Sequence, residues 1–342
     1  MGNDPSSLFL SDELVRELVP NSLPQSRDER YVGGAVHGRL DRDFGEEEQE
    51  TLRSLYVSLG GLMELTAKRD ASEDGNSMLS AKLRDFAREC PILQAGRDLE
   101  KYGRAAQETY DSKLARLFRE LTDGPLASLY GIIFLVGSSG AEPEYFQTLF
   151  YLSRDQRKIM RSLIVDLDPT ARQRDEMEQF HSVSLLLEKW QKAVYRAFDE
   201  ELEVAFRTNF EGAVAERCIE FAEVDRIFYH LVNNAIRHGS DKTLAVQVVE
   251  SSNGDDLIWL FSNPVSENQA KVLQNFVDGR QSVFEYGIGS ESGVGLGSLA
   301  ESVAHAYGIE AQEQVISGSY AGSSFADGIF RIWFHWPKTT EA

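Results

Sequence analysis

The stretch Phe228-Tyr229-His230-Leu231-Val232-Asn233-Asn234-Ala235-Ile236-Arg237-His238-Gly239 decides the fold. Its pattern predicts an amphipathic helix with an amide and a cation on the polar side. A second stretch, Gly293-Val294-Gly295-Leu296-Gly297, follows later and precedes a predicted helix at residues 298–307. A glycine run that opens a helix can bring bare backbone N–H groups to a phosphate. The second stretch therefore indicates a phosphate site.

Together the two stretches resemble the asparagine box and second glycine box of the GHKL superfamily, the ATP-binding fold of sensor histidine kinases. The resemblance implies that Asn234 binds Mg²⁺ through its amide oxygen, a hard ligand, and that the Mg²⁺ bridges the triphosphate oxygens. Arg237 would point along the same helix face toward phosphate, and Asn233 would add a second polar contact. His238 stands where an aromatic or imidazole residue is common in the family.

The glycine box and the residues before it resemble the phosphate end of the same site. The resemblance implies triphosphate contacts from four residues of the box: Gly293, Gly295, Leu296 and Gly297. Residues 265–284 and the Gly/Ser-rich residues 286–292 resemble the mobile lid that closes over the phosphates. Phe276 and Phe284 are candidates either for the apolar anchor of that lid or for the core.

The adenine end departs from the family pattern. Histidine kinases usually carry Asp-x-Gly-x-Gly after the central strand, and its Asp accepts a hydrogen bond from the adenine amino group. Here the predicted strand at residues 257–262 runs into Asn263-Pro264-Val265 without glycines. The amide oxygen of Asn263 can accept the same bond, but it carries no charge, and Pro264 is rigid.

His230 lies four residues before Asn234, one helical turn away on the same face. In the chaperone and mismatch-repair branches of the superfamily, a Glu near this position activates water for ATP hydrolysis. Because no Glu is present here, the sequence disfavours a hydrolytic ATPase cycle. His230 is either a base or a hydrogen-bonding bystander.

The middle of the chain predicts two long helices. Residues 99–136 hold a helical period that Pro125 should kink rather than end. After a turn at residues 137–140, a second helix begins at Pro143 and closes near residue 168. This hairpin needs a partner for its apolar stripe, and a dimeric four-helix bundle is one solution. The alternative is a monomeric bundle completed by two upstream helices, at residues 46–68 and ending near residue 90.

The hairpin, at residues 105–174, resembles the dimerisation and phosphotransfer domain of histidine kinases. Residues 118–126 look like its phosphoacceptor box, but Arg119 stands in the acceptor position, or Glu120 does if the position is counted back from Pro125. Arg stays protonated and offers no lone pair to a phosphoryl group. Glu120 remains as the neighbouring acid that would act as the base. Autophosphorylation at the usual site is therefore not expected. Four other histidines are more typical of surface or packed positions than of acceptors: His37, His181, His305 and His335.

These patterns divide the chain into four parts. We expect a weakly structured arm at residues 1–45, a helical region of unknown role at 46–104, the hairpin at 105–174 and a HATPase-like ATP-binding domain at 175–342. The predicted fold class is α+β, with an all-helical N-terminal region that includes a dimerising hairpin. The C-terminal part is predicted to be an α/β sandwich of the GHKL (Bergerat) type.

Composition limits the partners. A net charge of −20 disfavours a nucleic-acid or anionic-membrane surface, since both need clustered Lys and Arg. The sequence holds no apolar run near the roughly 18 residues that span a bilayer, and no secretory signal is visible. Cys90 and Cys218 lack metal spacing and are expected to be free thiols. We therefore expect a cytoplasmic protein without membrane insertion.

Three functional hypotheses follow from these observations. The first is a histidine-kinase-like regulator of a two-component pathway that binds ATP and Mg²⁺ and phosphorylates a partner. The second is a nucleotide-independent pseudokinase scaffold or phosphotransfer-type adaptor that docks a response-regulator receiver domain. The third is a GHKL Ser/Thr protein kinase, which the long hairpin disfavours because those kinases are usually compact single domains. The partner is expected to be a receiver domain or another kinase.

Overall fold

The structure is a computed structural model that describes residues 5–18, 37–67, 73–89, 91–139, 143–192, 195–197, 200–277, 283–284, 295–310 and 312–339. The chain divides into two compact units. The helical unit falls within Val36–Asp175 and Ala193–Glu201. The sheet unit falls within Met1–Ala35, Glu176–Lys192 and Leu202–Ala342.

A short 3-10 helix at Pro5–Leu8 precedes the other elements. The α-helices are α1 (Asp12–Arg16), α2 (Leu40–Asp43), α3 (Glu46–Ala67), α4 (Glu73–Glu89), α5 (Ile92–Glu108), α6 (Ser112–Thr122), α7 (Pro125–Ser139), α8 (Pro143–Leu163), α9 (Pro169–Asp175), α10 (Val183–Lys192), α11 (Cys218–His238), α12 (Glu267–Val277), α13 (Gly295–Tyr307) and α14 (Gln312–Ser317). The strands are β1 (Glu178–Ser182), β2 (Tyr195–Ala197), β3 (Glu200–Thr208), β4 (Ala213–Arg217), β5 (Thr243–Glu250), β6 (Asp256–Pro264), β7 (Ala321–Ala326) and β8 (Ile329–Pro337).

The helical unit is a bundle in which the long helices bury one another's apolar faces. α8 packs chiefly against α3 and α7, and α7 also contacts α4. The α8 stripe is fully enclosed within this one chain; its buried members are Phe146, Leu149, Leu152, Ile159 and Leu163. The upstream helices therefore supply the partner that the hairpin was expected to find in a second copy. The homodimer through residues 105–174 stays a prediction. The apolar stripe no longer supports it, because the stripe is already buried within one chain.

The single kinked helix predicted at residues 99–136 is wrong, because the chain breaks twice there. α5 ends before Tyr110, whose φ is 60°, and the Asp111 carboxylate then accepts the Leu114 N–H at 2.9 Å to cap α6. α6 ends before Pro125, which occupies the first position of α7, where its missing N–H costs nothing. The two helices are bent by 45° at that break.

The second hairpin helix also ends earlier than expected, at Leu163 rather than near residue 168. The residues that follow make other contacts. Ile164 forms a bridge with Gly38, and the Asp168 carboxylate accepts the Ala171 N–H at 3.0 Å, which starts the separate helix α9.

Within the described residues, no single helix is long and apolar enough to cross a membrane. The bent pair α6 and α7 meets that test together, by length and composition only. Most apolar side chains of this pair are buried in the helical unit; they include Leu117, Phe118, Leu121, Leu126, Leu129, Ile132, Ile133 and Val136.

Five strands of the sheet unit form one mixed sheet in the order β3-β5-β6-β8-β7. β3 and β5 are parallel, with Ala205 opposite Ala245, and the remaining neighbours are antiparallel. A parallel pair needs a crossover connection, and the chain makes it through β4 and α11. β1 and β4 form a separate antiparallel pair. The prediction of an N-terminal helical region and a C-terminal sheet is confirmed at this level.

The two faces of the sheet are both covered. Successive strand residues point to opposite faces, and Trp259 and Phe261 lie on the face that carries α11. The Phe228 ring of α11 lies 5.5 Å from the Trp259 ring and 4.9 Å from the Phe261 ring. We call this the helix face, and the opposite one the second face.

Residues 5–18 lie on the second face, so the weakly structured arm expected at residues 1–45 does not hold for this part. Val15 is fully buried and packs against Val249, Ile258 and Leu260. The apolar patches Leu8-Phe9-Leu10 and Leu14-Val15 are the sequence signal for this docking. We call residues 5–18 the strap.

Other elements of the sheet unit differ from the sequence-based expectation in extent. The helix predicted at residues 185–198 is α10, which ends at Lys192. The helix predicted at residues 224–238 begins earlier, at Cys218. The central strand β6 continues past residue 262 through Pro264, which pairs with Ile329 of β8.

Candidate functional site

One side of α11 carries a polar stripe on a helix whose other side packs on the sheet. Residues three and four apart share a helix face, and the stripe consists of Glu223, Arg226, His230, Asn233, Asn234 and Arg237. Exposure rises along it: Glu223 is 1% and Asn233 5% exposed, Asn234 is half-buried, and Arg237 is exposed. The C-terminal part of the stripe is therefore the part that solvent can reach.

The direction of α11 across the sheet follows from its contacts at each end. Near its start, the Trp336 indole N–H donates to the Val214 carbonyl at 3.2 Å. At its end, the Ser266 N–H donates to the His238 carbonyl at 3.0 Å, and Gly239 forms a bridge with Val265. Asn233, Asn234 and Arg237 therefore lie at the end of the sheet where β6 finishes.

α13 runs antiparallel to α11. Its last residue, Tyr307, donates its hydroxyl to the Asp256 carboxylate at 2.8 Å, and Asp256 is the first residue of β6. Midway along α13, the Ser302 hydroxyl lies 3.0 Å from the Glu223 carboxylate and 3.1 Å from the Arg226 guanidinium. The N-terminus of α13 therefore lies toward the other end of the sheet, the end of Asn234.

The end of α11 and the start of α13 also lie at a similar height above the sheet. A helix rises about 1.5 Å per residue, so Gly295 lies about 10 Å along α13 from Ser302, and Asn234 lies about 12 Å along α11 from Arg226. Because Ser302 contacts Arg226, Gly295 and Asn234 come to nearly the same height above the sheet. The end of α11 and the start of α13 thus converge.

The first turn of α13 contains most of the glycine box. Gly295, Leu296 and Gly297 open the helix, with Leu296 half-buried and Gly297 buried. The first N–H groups of a helix have no intrahelical partner and carry partial positive charge. Gly293, residues 286–292 and the Phe276 side chain lie outside the described part of the chain, whereas residues 265–277 of the segment compared with a lid are described and contain α12. Phe284, which is described, is 3% exposed.

Asn263 lies at the same end of the sheet. It alternates with Trp259 and Phe261 along β6, so it shares the helix face with them. Its side chain is half-buried, and its amide N–H donates to the Pro264 carbonyl at 3.3 Å. With the amide N–H turned toward the backbone, the carbonyl oxygen of Asn263 is the acceptor that this position offers.

Of the two basic residues that close α11, Arg237 rather than His238 carries a charge. Burial lowers the pKa of His238 below its ordinary value near 6.5, and the neighbouring Arg237 lowers the pKa further. His238 is therefore neutral at pH 7. A half-buried neutral imidazole beside an exposed guanidinium suits a site for an anion with an apolar wall.

The structure does not bring every predicted residue to this end of the sheet. His230 belongs to the stripe but is buried, at 4% exposure. Arg119 and Glu120 lie on α6 of the helical unit, where Glu120 is 1% exposed. A carboxylate enclosed in that way cannot reach a phosphoacceptor on a partner without movement of α6.

Three of the remaining histidines make packing or hydrogen-bond contacts within the fold. The His181 ring stacks on Phe221 with centroids 4.8 Å apart, His37 Nδ1 lies 3.0 Å from the Ser162 carbonyl, and His335 is fully buried. None of these three is placed as an exposed phosphoacceptor.

Sequence reasoning missed the buried network that fixes α11 against α13. Arg226 donates to the Glu223 carboxylate and to the Ser302 hydroxyl, and Ser302 donates to Glu223. The spacing of Glu223 and Arg226 at i and i+3 on one helix is the available signal. Ser302 could not be added, because only the folded chain brings α13 to that face.

Comparison with known proteins gives structural matches alone. No family model matches the chain, and no curated protein matches it. Among solved structures, the Acinetobacter baumannii histidine kinase AdeS is 15% identical, with 62% of this chain and 95% of that chain covered and a TM-score of 0.25. Full-length ShkA in complex with AMPPNP is 13% identical, with 77% of this chain and 47% of that chain covered and a TM-score of 0.30. TM-scores this low carry no argument, and the fold rests on the topology above.

Proposed function

We propose that the chain binds ATP with Mg²⁺ at the end of the sheet where α11 finishes and α13 begins. One observation carries the proposal: α13 runs antiparallel to α11, so its N-terminal turn comes level with Asn234. A helix N-terminus, an amide oxygen and a guanidinium at one place form the donor set that a metal-bound polyphosphate requires.

Each residue of this end has a distinct role in the proposal. The Asn234 amide oxygen, with the phosphate oxygens, would hold Mg²⁺, and Asn233 would add a polar contact. Arg237 and the backbone of Gly295, Leu296 and Gly297 would bind the phosphates, with Gly293 completing the loop. The Asn263 amide oxygen would accept the adenine amino group, and His238 would lie beside the ligand as a neutral ring.

The chain acts in this proposal as a histidine-kinase-like signalling protein of a two-component pathway. It does not phosphorylate itself at the usual position, since Arg119 offers no lone pair and Glu120 is enclosed. The γ-phosphoryl group would pass to a partner's imidazole: a P–N bond forms, the bond to the β,γ-bridging oxygen breaks, ADP leaves with the electron pair, and the imidazole loses a proton. In this transfer the partner would be another kinase that carries the imidazole, and the docking of a receiver domain and the cytoplasmic location are further parts of the proposal.

Calorimetric titration of ATP-Mg²⁺ into the whole chain tests nucleotide binding directly. Asn234→Ala should weaken binding by about tenfold or more, because a metal ligand is lost. Asn209→Ala is the matched control: Asn209 is exposed and follows β3 at the opposite end of the same sheet. Equal affinity of wild type and Asn234→Ala would overturn the assignment of the metal ligand.

A second function, a nucleotide-independent scaffold that docks a receiver domain, is favoured by Arg119 and by the enclosure of Glu120. It predicts that wild type shows no heat of binding with ATP-Mg²⁺, while a receiver domain still binds. If ATP binds, radiolabelled ATP with candidate partners then measures transfer in trans.

A further inference from the structure

The strap is held on the second face of the sheet by polar contacts as well as by apolar burial. The Gln247 side chain both donates to and accepts from the backbone of Leu10, at 3.1 and 3.2 Å, and donates to the Asp12 carboxylate at 2.8 Å. Gln247 is 1% exposed, so this amide is committed to the strap. Backbone contacts of this kind fix the position of the strap rather than only its burial.

The strap crosses the strands in their spatial order. At β3, Arg207 donates to the Leu10 carbonyl and lies over the Phe9 ring at 4.8 Å. Next to it, at the end of β5, the Glu250 carbonyl accepts from Arg16 at 3.2 Å. Farther along, on β8, the His335 imidazole donates from Nε2 to the Leu18 carbonyl. The last described residue of the strap thus reaches the far side of β6.

His335 connects this strap contact to the C-terminal end of α13 by two routes. Its Nδ1 packs beside the Asp256 carboxylate at 4.0 Å, beyond hydrogen-bond distance, and Asp256 accepts the Tyr307 hydroxyl at 2.8 Å. Its backbone N–H donates to the Tyr320 carbonyl at 2.8 Å, and the Tyr320 and Tyr307 rings lie 4.8 Å apart. All of these side chains are buried, so a displacement at one is felt by the next.

We propose that the strap is a regulatory element whose docking on the second face is coupled, through His335, Asp256 and Tyr307, to the position of α13. Release of the strap removes the partner of His335 and loosens the buried contacts that hold the C-terminal end of α13. Because α13 is a rigid rod, its N-terminal end moves as well. The consequence for ATP rests on the proposed function, whereas the coupling between strap and helix does not.

Coupling of this kind is reciprocal, so a ligand at the N-terminus of α13 favours the docked strap. A partner that binds the strap in place of the second face would lower nucleotide affinity. Partner binding to the strap would then change nucleotide affinity, although the strap does not contact the nucleotide site.

Amide hydrogen exchange on the whole chain tests the coupling without any nucleotide. Val15→Asp puts a carboxylate into the apolar seat and should release the strap. We expect exchange to rise by about fivefold or more both in residues 8–18 and in α13. Leu14→Asp is the matched control, since Leu14 is 50% exposed next to Val15, and it should change neither segment.

Two further variants keep the test decisive. Val15→Ala shortens the same anchor without burying a charge and should shift both segments in the same direction by a smaller factor. Tyr307→Phe removes the hydroxyl that Asp256 accepts. In the double variant Val15→Asp/Tyr307→Phe, α13 should exchange no faster than in Tyr307→Phe alone. Unchanged exchange in α13 after the strap is released in either Val15 variant would overturn the proposal.

Calorimetry then separates this inference from the proposed function. If α13 responds to strap release but wild type binds no ATP-Mg²⁺, the coupling stands and the proposed function falls. If wild type binds ATP-Mg²⁺ and α13 ignores the strap, the proposed function stands and the coupling falls. If both hold, ATP-Mg²⁺ should slow amide exchange in the strap of wild type by a certain factor. Val15→Asp should then weaken ATP-Mg²⁺ binding by the same factor, because the coupling is reciprocal.

Discussion

Tyr130 of α7 places its hydroxyl oxygen in the space that a side chain on Gly96 of α5 would occupy: a Cβ atom at position 96 would lie 0.5 Å from that oxygen. The Tyr130 side chain therefore reaches the backbone of α5, which is possible only because position 96 has no side chain. Burial raises the pKa of the Tyr130 hydroxyl far above its ordinary value, so the group is neutral at any ordinary pH.

Gly96→Ala should therefore destabilise the chain, although Ala favours helices over Gly. Overpacking of this kind costs about 1–3 kcal/mol in the free energy of unfolding, measured by urea denaturation. Gly137→Ala in α7 is the control, because its Cβ would meet only Ala87 at an ordinary 3.8 Å. Tyr130→Leu should recover part of the loss in Gly96→Ala. An equal stability of the two Gly→Ala variants would contradict the packing described.

The buried ion pair between α10 and α11 gives a second stability prediction. Lys189 Nζ lies 2.5 Å from the Asp225 carboxylate, and both side chains are 1% exposed. Lys189→Met should cost about 3–5 kcal/mol in the free energy of unfolding, because it leaves a buried carboxylate without its cation. The double variant Lys189→Met/Asp225→Leu should recover most of that loss. Denaturation curves for the three proteins decide this, and a double variant no more stable than the single one would speak against it.

The free energy of unfolding should fall as the pH is lowered from 7 to 5, because His335 takes up a proton less readily in the folded chain than in the unfolded chain. Burial lowers the pKa of His335, and the Leu18 carbonyl and Asp256 oppose that shift only in part. The unfolded chain therefore takes up this proton at a higher pH than the folded chain does. The contribution is fully present above about pH 6.5 and is lost as the pH falls toward the folded pKa, by up to about 1.4 kcal/mol per pH unit.

Thermal or urea unfolding between pH 7 and pH 5 measures that slope. His335→Gln keeps a donor for the Leu18 carbonyl but has no proton to gain, so its slope should be shallower than that of wild type. His238, whose pKa is also lowered, adds to the wild-type slope and is unchanged in the variant. Parallel pH dependence of the two proteins would show that His335 is not the group involved.

The adenine end of the proposed site can be probed by charge. Asn263→Ala removes the acceptor and should weaken ATP-Mg²⁺ binding by up to about tenfold, the worth of one neutral hydrogen bond. Asn263→Asp restores a charged acceptor and should bind at least as tightly as wild type. Asn253→Asp, in the turn at the opposite end of β6, makes the same charge change and should have no effect. Calorimetry resolves these differences, and indifference to Asn263→Ala would remove Asn263 from the site.

The sequence was informative where local periodicity and motif agree. The helix carrying Asn234 and Arg237, the helix opened by Gly295 and the strand before Asn263 could all be placed from residue patterns, because each uses contacts near in sequence. Their boundaries could not. β6 continues through Pro264 because β8 pairs with it. Pairing with a strand so distant in sequence produces no recognisable pattern in the residues around Pro264.

The docking of the strap and the packing of the bundle could not be predicted from the sequence, for a different reason. Residues 8–18 are too short to show a convincing period, and their seat is assembled from Arg207, Gln247 and His335 on three strands. The hairpin stripe was visible, but a stripe does not say what covers it. That α3 rather than a second copy does so depends on the path of the whole chain.

The contact between Leu18 and His335 joins residues 317 positions apart. During synthesis the strap is made before any strand of its seat, and β8 is the last of those strands to appear. Val15 therefore stays uncovered until β5 and β6 have been made, and the last contact of the strap, at Leu18, cannot form before β8 is made. Strap docking is then a late step in folding, and a chain stalled before β6 would present an uncovered apolar segment to chaperones.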